Sequence, residues 1–128
     1  MGMKLYFDGG CSPNPGMMEA AIISDCGGVK LHLDKLGHGT NNEAEWIGMV
    51  MAVTTAVDQN GPVTILGDSK LVISQAEGKW KCNHDHLRKY LEEYKKIAAT
   101  AKHPITLQHV KRDLNLAGIY IEQIQNDR

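Results

Sequence analysis

One α/β domain, a mixed sheet with helices packed against it, is the fold class this sequence predicts, and three features predict it. The first 35 residues hold three short apolar runs separated by glycine and proline turn signals. The apolar period then changes from two to helical spacing near Asn42. Beyond Pro62 short apolar runs alternate with helical patterns, as strands in a parallel arrangement do.

The elements follow in order. Lys4 to Asp8, Glu19 to Ser24 and Val29 to Lys35 read as strands. The turns between them are Ser12-Pro13-Asn14-Pro15-Gly16 and Asp25-Cys26-Gly27-Gly28, so antiparallel neighbours are expected. From Asn42, residues Ile47, Val50, Met51, Thr54 and Val57 recur at helical spacing, and Asn60-Gly61-Pro62 stops the run. Val63 to Leu66 is a buried, parallel-type strand. Ser69 is placed to cap a short helix through Gln75, which Glu77-Gly78 breaks. His86 to Thr100 is the cleanest amphipathic pattern, with Leu87, Tyr90, Leu91, Tyr94, Ile97 and Ala98 on one face. Ile105, Leu107 and His109 alternate along a last strand, and Leu114, Ala117, Tyr120, Ile121 and Ile124 form the core face of a final helix. The order is βββαβααβα on a five-stranded mixed sheet, three antiparallel strands and then two parallel-type strands. Residues 3–128 are expected to form a single domain, and Met1-Gly2-Met3 reads as an expression scar before a start at Met3.

At 128 residues and 42% hydrophobic composition the chain can bury a core without staples. It shows no apolar run of the roughly 20 residues a membrane helix needs, and no signal-peptide pattern, so a cytoplasmic protein without a membrane partner is expected. Cys11, Cys26 and Cys82 have no paired spacing, which argues against a disulfide framework or a zinc site. The net charge of −1 hides an asymmetry: residues 1–69 carry three Lys/Arg against eight Asp/Glu, residues 70–112 ten against four, and residues 113–128 one against three. An acidic region beside a basic one suits an enzyme that gathers divalent cations in one place and a polyanion in another, although Glu92 and Glu93 near Lys95 and Lys96 also read as a solvated helix face.

Three carboxylate motifs carry the chemistry. Asp8 ends an apolar strand and precedes Gly9-Gly10, which let a ligand approach the backbone; a turn aspartate explains the same letters. Thr40-Asn41-Asn42 is first a helix cap, and Glu43 and Glu45 in the first turn both gain from the helix dipole. The side on which Glu45 projects stays open at this level. Asp68 closes a parallel strand beside a helix start, where ligands gather in α/β sheets.

As a set, Asp8-Gly9-Gly10-Cys11 with Asn14-Pro15-Gly16, Thr40-Asn41-Asn42 with Glu45, Asp68-Ser69, and Arg112 with Asn115-Leu116-Ala117 resemble the type 1 ribonuclease H family, over nearly the whole chain from Leu5 to Ile124. The resemblance implies an RNase H-like fold and cleavage of the RNA strand of an RNA/DNA hybrid with two divalent ions, Mg²⁺ or Mn²⁺. It makes Asp8 the bridge between the ions, Glu45 a ligand of one, and Asp68 the third ligand. It implies that Asn14, Thr40, Asn41 and Asn42 grip backbone and base edges across the minor groove, reading hybrid shape and the 2′-hydroxyl. Gly9, Gly10, Cys11, Ser69 and Arg112 fall on the same substrate side. Trp80, between Lys79 and Lys81, is placed either to stack on a sugar or base or to pack on the next helix. The chain lacks the basic, tryptophan-rich extension and the separate hybrid-binding domain of some members, so modest, salt-sensitive hybrid affinity and a monomer without an obligate protein partner are expected.

One departure stands out. The family pattern has a fourth carboxylate after Asn115-Leu116-Ala117, and this chain has Gly118. Glu122 shares a helix face with position 118 and its side chain leans toward the N-terminus, so it is the candidate to fill the gap, with Asp113 the second. A working nuclease, impaired or Mn²⁺-preferring, is the first reading. A catalytically silent nucleic-acid-binding relative is the second, and a DNA-directed nuclease of the wider superfamily the third. His84 and His86 read as exposed loop residues and His109 as a structural strand residue; by the resemblance Arg112 is placed as a cation near the expected leaving group.

Overall fold

The computed structural model describes residues 2–128; Met1, part of the expected expression scar, lies outside them. The strands are β1 (Met3–Cys11), β2 (Gly16–Ser24), β3 (Lys30–Leu33), β4 (His38–Gly39), β5 (Val63–Gly67) and β6 (Ile105–His109). The helices are α1 (Asn41–Ala56), α2 (Lys70–Ala76), α3 (Asp85–Ala98) and α4 (Leu116–Asn126), the last preceded by one 3-10 turn at Arg112–Leu114. The five expected strands form the sheet in the order β3-β2-β1-β5-β6. The first three pair antiparallel, and β5 pairs parallel with both β1 and β6. The two-residue β4, which pairs with β2, was not expected, because two residues are too short to show a period.

Helix α1 lies against the centre of the sheet, α3 packs on α1 and α2, and α4 covers β1 and β2. The core joins Leu5, Phe7, Ile22 and Ile65 of the sheet to Trp46, Met49 and Val53 of α1 and Leu87 and Leu91 of α3. Trp46 satisfies its buried indole N–H on Gln75 Oε1 of α2 at 2.9 Å.

Three expectations need correction. Asp8 does not end a strand: β1 continues through Gly9 and Gly10 to Cys11, still paired with β2. Strand pairing here overrides the low strand propensity of glycine. Glu45 lies in the second turn of α1, since Thr40 is the cap and accepts the Glu43 N–H. The buried face of α1 is Ala44, Trp46, Gly48, Met49, Ala52, Val53 and Ala56, whereas Ile47, Val50, Met51 and Val57 are half-buried and Thr54 is exposed. Small residues let the helix come close, and a count of large apolar side chains overlooks them. Leu114 is 60% exposed because it belongs to the 3-10 turn and not to the core face of α4.

The close approach has specific causes. A Cβ on Gly9 would collide with the Ala44 carbonyl, and one on Gly48 would lie 2.9 Å from the Asp8 carbonyl oxygen. Gly9 and Gly48 therefore allow α1 to rest directly on β1. That contact fixes where Glu45 points.

Candidate functional site

Three elements bring three carboxylates to one place. Asp8 is held within β1 by pairing with Ala21. Strand β5 runs parallel beside β1, Tyr6 opposite Leu66, so Asp68, the residue after Gly67, emerges next to Asp8. Glu45 enters from α1 and accepts the Gly9 N–H through Oε1 at 3.0 Å. Asp8, Glu45 and Asp68 each present an oxygen within 4.8 Å of the others. The side open in the sequence reading is thus settled: Glu45 faces β1.

Such crowding is costly without a cation. Asp8 is 2% exposed, and its Oδ1 has no hydrogen-bond partner. Burial first, and the negative charge of Asp68 second, push the Asp8 carboxyl up from 3.8 to about 7, against the opposing pull of Arg112. Burial, then Asp8 and Asp68, likewise raise Glu45 well above the usual carboxylate range. A buried, unsatisfied oxygen amid carboxylates is the donor set that a hard divalent cation takes.

The surroundings of Asp68 contain a residue that sequence reasoning treated only as part of a motif. Asn115 is fully buried, and its Nδ2 donates to the Phe7 carbonyl at 2.9 Å and to Asp68 Oδ2 at 3.2 Å. Its Oδ1 caps α4 by accepting from the Ala117 and Gly118 N–H groups at 3.1 and 3.4 Å. One side chain ties the start of α4, the backbone of β1 and Asp68 together. An asparagine at a helix start reads as a cap; its second role depends on which strand lies beneath, which local spacing does not reveal.

Gly118 faces the acids: a Cβ there would lie 3.5 Å from Asp8 Oδ2. Glu122, 57% exposed, lies outside the three-acid group, with Oε1 3.5 Å from Arg112 Nη2. Asp113 is exposed in the 3-10 turn.

A cavity of about 340 Å³ is lined by Asp8 and Glu45 together with Gly9, Gly10, Cys11, Asn41 and Arg112. A second, of about 540 Å³, is lined by Asn14, Thr40, Asn41 and Asn42 together with His84 and His86. Asn41 borders both. Its Oδ1 accepts the Cys11 N–H at 3.0 Å, and its own N–H donates to Asn14 Oδ1 at 3.1 Å, so the β1–β2 turn and the start of α1 are knitted together. The Cys11 thiol lies 3.4 Å from the Gly39 carbonyl, and all three cysteines are free. His86 sits in the first turn of α3, not in a loop, and His84 is its N-cap residue. Their place on the cavity wall is legible only once α3 is docked on α1. His109 is exposed at the end of β6. Ser69 and Trp80 line neither cavity: Ser69 caps α2 by accepting the Val72 N–H at 3.2 Å, and Trp80 is 49% exposed beyond α2.

Comparison with known proteins places the fold and the family. A family model described as Reverse transcriptase-like matches residues 6–120. The chain is 35% identical over 88 residues to a protein named Ribonuclease HI from Halobacterium salinarum, an alignment covering 66% of this chain and 44% of that protein. Among solved structures, RNase H1 from Halobacterium salinarum superposes with a TM-score of 0.83 at 26% identity, covering 100% of both chains. The N-terminal RNase H domain of rv2228c from Mycobacterium tuberculosis superposes with a TM-score of 0.76 at 27% identity, covering 98% of this chain and 97% of that one. The chain spans only part of the length of the curated relatives it matches, 35% to 54%.

Proposed function

The chain belongs to the reverse transcriptase-like family, in its type 1 ribonuclease H line, and from that premise we propose that it cleaves the RNA strand of RNA/DNA hybrids with two divalent ions held by Asp8, Glu45 and Asp68. The observation that carries this reading is the buried, unpartnered Asp8 Oδ1 within a group of three converging carboxylates. Bound ions would supply an activated water and stabilise the leaving oxygen of an in-line displacement.

The protein's own residues do the rest. Asn115 holds Asp68 in one orientation, and the Gly9 N–H does the same for Glu45. Asn14, Thr40, Asn41 and Asn42 present amide and hydroxyl groups suited to sugar and phosphate, and the 2′-hydroxyl is the group that distinguishes the RNA strand. Gly10 leaves room beside β1 for the backbone of the cleaved strand, whereas the space beside Gly9 is filled by the Ala44 carbonyl and Cys11 is buried against Gly39. Arg112 offers a cation at the edge of the site. Ser69 acts through the start of α2, and the exposed Trp80 between Lys79 and Lys81 offers a stacking face. Gly118 withholds a fourth carboxylate; Glu122, one turn along α4, is the side chain able to compensate, with Asp113 second. The site favours Mn²⁺, which binds a weak oxygen site more tightly than Mg²⁺. The protein works as a cytoplasmic monomer; no helix among the described residues is long and apolar enough to cross a membrane.

A labelled RNA/DNA hybrid incubated with the protein in Mg²⁺ and in Mn²⁺ tests the proposal. Internal cuts confined to the RNA strand, more in Mn²⁺, are expected. Absence of product with both ions overturns it, and cutting of duplex DNA moves the substrate elsewhere. A Glu122→Gln variant with an unchanged rate removes compensation by Glu122.

A further inference from the structure

Arg112 reaches from the 3-10 turn ahead of α4 to the mouth of the acidic site. Its Nη1 lies 3.6 Å from Asp68 Oδ2, and its Nη2 lies 3.5 Å from Glu122 Oε1. One guanidinium thus answers two carboxylates on different elements: Asp68, in the three-acid group, and Glu122, one helical turn beyond Gly118. Both distances exceed the roughly 2.7–2.9 Å of tight charge-assisted hydrogen bonds, and the arginine side chain is 61% exposed. The fork is therefore free to leave at little cost to the fold. Asp68 keeps its orientation when that happens, because Asn115 Nδ2 already donates to the same oxygen at 3.2 Å. Gly118 places no side chain between α4 and Asp8, so Glu122 has space to follow.

Resting on the reading that Asp8, Glu45 and Asp68 hold divalent ions, we propose that Arg112 is an electrostatic latch: its guanidinium occupies Asp68 and Glu122 in the ion-free protein and exchanges both carboxylates for a nucleic-acid phosphate when ion and polyanion bind. A cation at Asp68 repels the guanidinium, while a phosphate draws it outward in the fork geometry that arginine favours. Ion binding alone must displace the latch and is weaker than the acids by themselves would make it. A polyanion that captures Arg112 strengthens ion binding, and by reciprocity the ion strengthens polyanion binding by the same factor. Glu122, once released, turns toward the space beside Gly118. The latch thus makes the site prefer ions in the presence of its substrate.

Calorimetric titration of Mn²⁺ into the wild-type protein, Arg112→Gln and Arg112→Lys, without nucleic acid, tests this. Arg112→Gln should bind Mn²⁺ on the order of tenfold more tightly than wild type, with Arg112→Lys, which keeps the charge but loses the fork, in between. In a parallel titration with hybrid, Arg112→Gln should bind more weakly and its salt slope should fall by about 1. Equal or weaker Mn²⁺ affinity in Arg112→Gln, alongside measurable binding by wild type, overturns the latch and leaves the ion site standing. No Mn²⁺ binding by any of the three overturns both.

Discussion

Asp8 on β1 and Glu19 on β2 are buried carboxylates on the same face of the sheet, since Gly10 pairs with Glu19 and Asp8 with Ala21, and α4 packs over both strands. Glu19 accepts from His32 Nε2 at 2.8 Å, Gln125 Nε2 at 3.1 Å and both Arg128 Nη atoms at 3.2 and 3.0 Å. These hydrogen bonds, with Arg128 foremost, outweigh burial and hold the Glu19 carboxyl below its usual range. Asp8 has two further carboxylates for neighbours, an oxygen without a partner, and a carboxyl pushed up to about 7. A buried acid whose oxygens are all answered pins elements together; one left unanswered beside other acids waits for a ligand.

The comparison breaks most sharply in activity. Asp8→Asn should lower hybrid cleavage by at least about a thousandfold in either ion, the scale expected if Asp8 is among the residues that would hold the proposed ions. Glu19→Gln should stay within a few-fold of wild type per folded molecule. Comparable losses in both would erase the distinction between the two acids.

Acidity separates the sites next. A carboxyl whose folded pKa is raised lends stability that is complete below its unfolded value near 4 and is lost as pH rises through the folded value, here about 7 for Asp8. The ion-free protein should therefore be less stable at pH 8 than at pH 5, by about a few kcal/mol, and melt at a lower temperature there. Glu19, shifted the opposite way, contributes stability that fails only under more acidic conditions. Asp8→Asn should flatten the slope between pH 5 and pH 8, and Mg²⁺ or Mn²⁺ should restore the wild-type melting temperature at pH 8. Thermal melts in chelator and in added ion read both effects. The same slope in Asp8→Asn as in wild type would place the unfavourable charge elsewhere.

Glu19→Ala should cost about 1–2 kcal/mol in urea unfolding, by stranding Arg128 and His32. The figure is held down because the Arg128 side chain is half exposed.

Much of this contrast was legible in the sequence. The three acids of the site stood out because each lies in a spaced motif, Asp8-Gly9-Gly10, Asn42 to Glu45 and Asp68-Ser69, whose order matched the alternation of strands and helices. Glu19 gave no such signal. Its partners His32, Gln125 and Arg128 are 13, 106 and 109 residues away, and nothing local marks them. Asn115 was half legible for the same reason: its capping role is local, whereas its bond to Asp68 spans 47 positions. Helical spacing alone does not show that Ala44, Gly48, Ala52 and Ala56 face the sheet, because they pack by smallness, which hydrophobic periodicity weights least.

Gly118 sharpens the contrast at the smallest scale. A Cβ at this position meets Asp8 Oδ2 at 3.5 Å and the Asn115 side chain at 3.7 Å, both ordinary contacts. Gly118→Ala should therefore fit without rearrangement and stabilise α4 by up to about 1 kcal/mol. Gly118→Asp occupies the same space with a fourth charge. In chelator it should melt below Gly118→Ala, since another carboxylate joins an unanswered set. In Mn²⁺ the order should reverse and the ion should bind more tightly than to wild type, because the added oxygen becomes a ligand. If Gly118→Asp instead melts below Gly118→Ala at every Mn²⁺ concentration, the space between α4 and Asp8 is not part of the ion site, and the glycine serves packing alone.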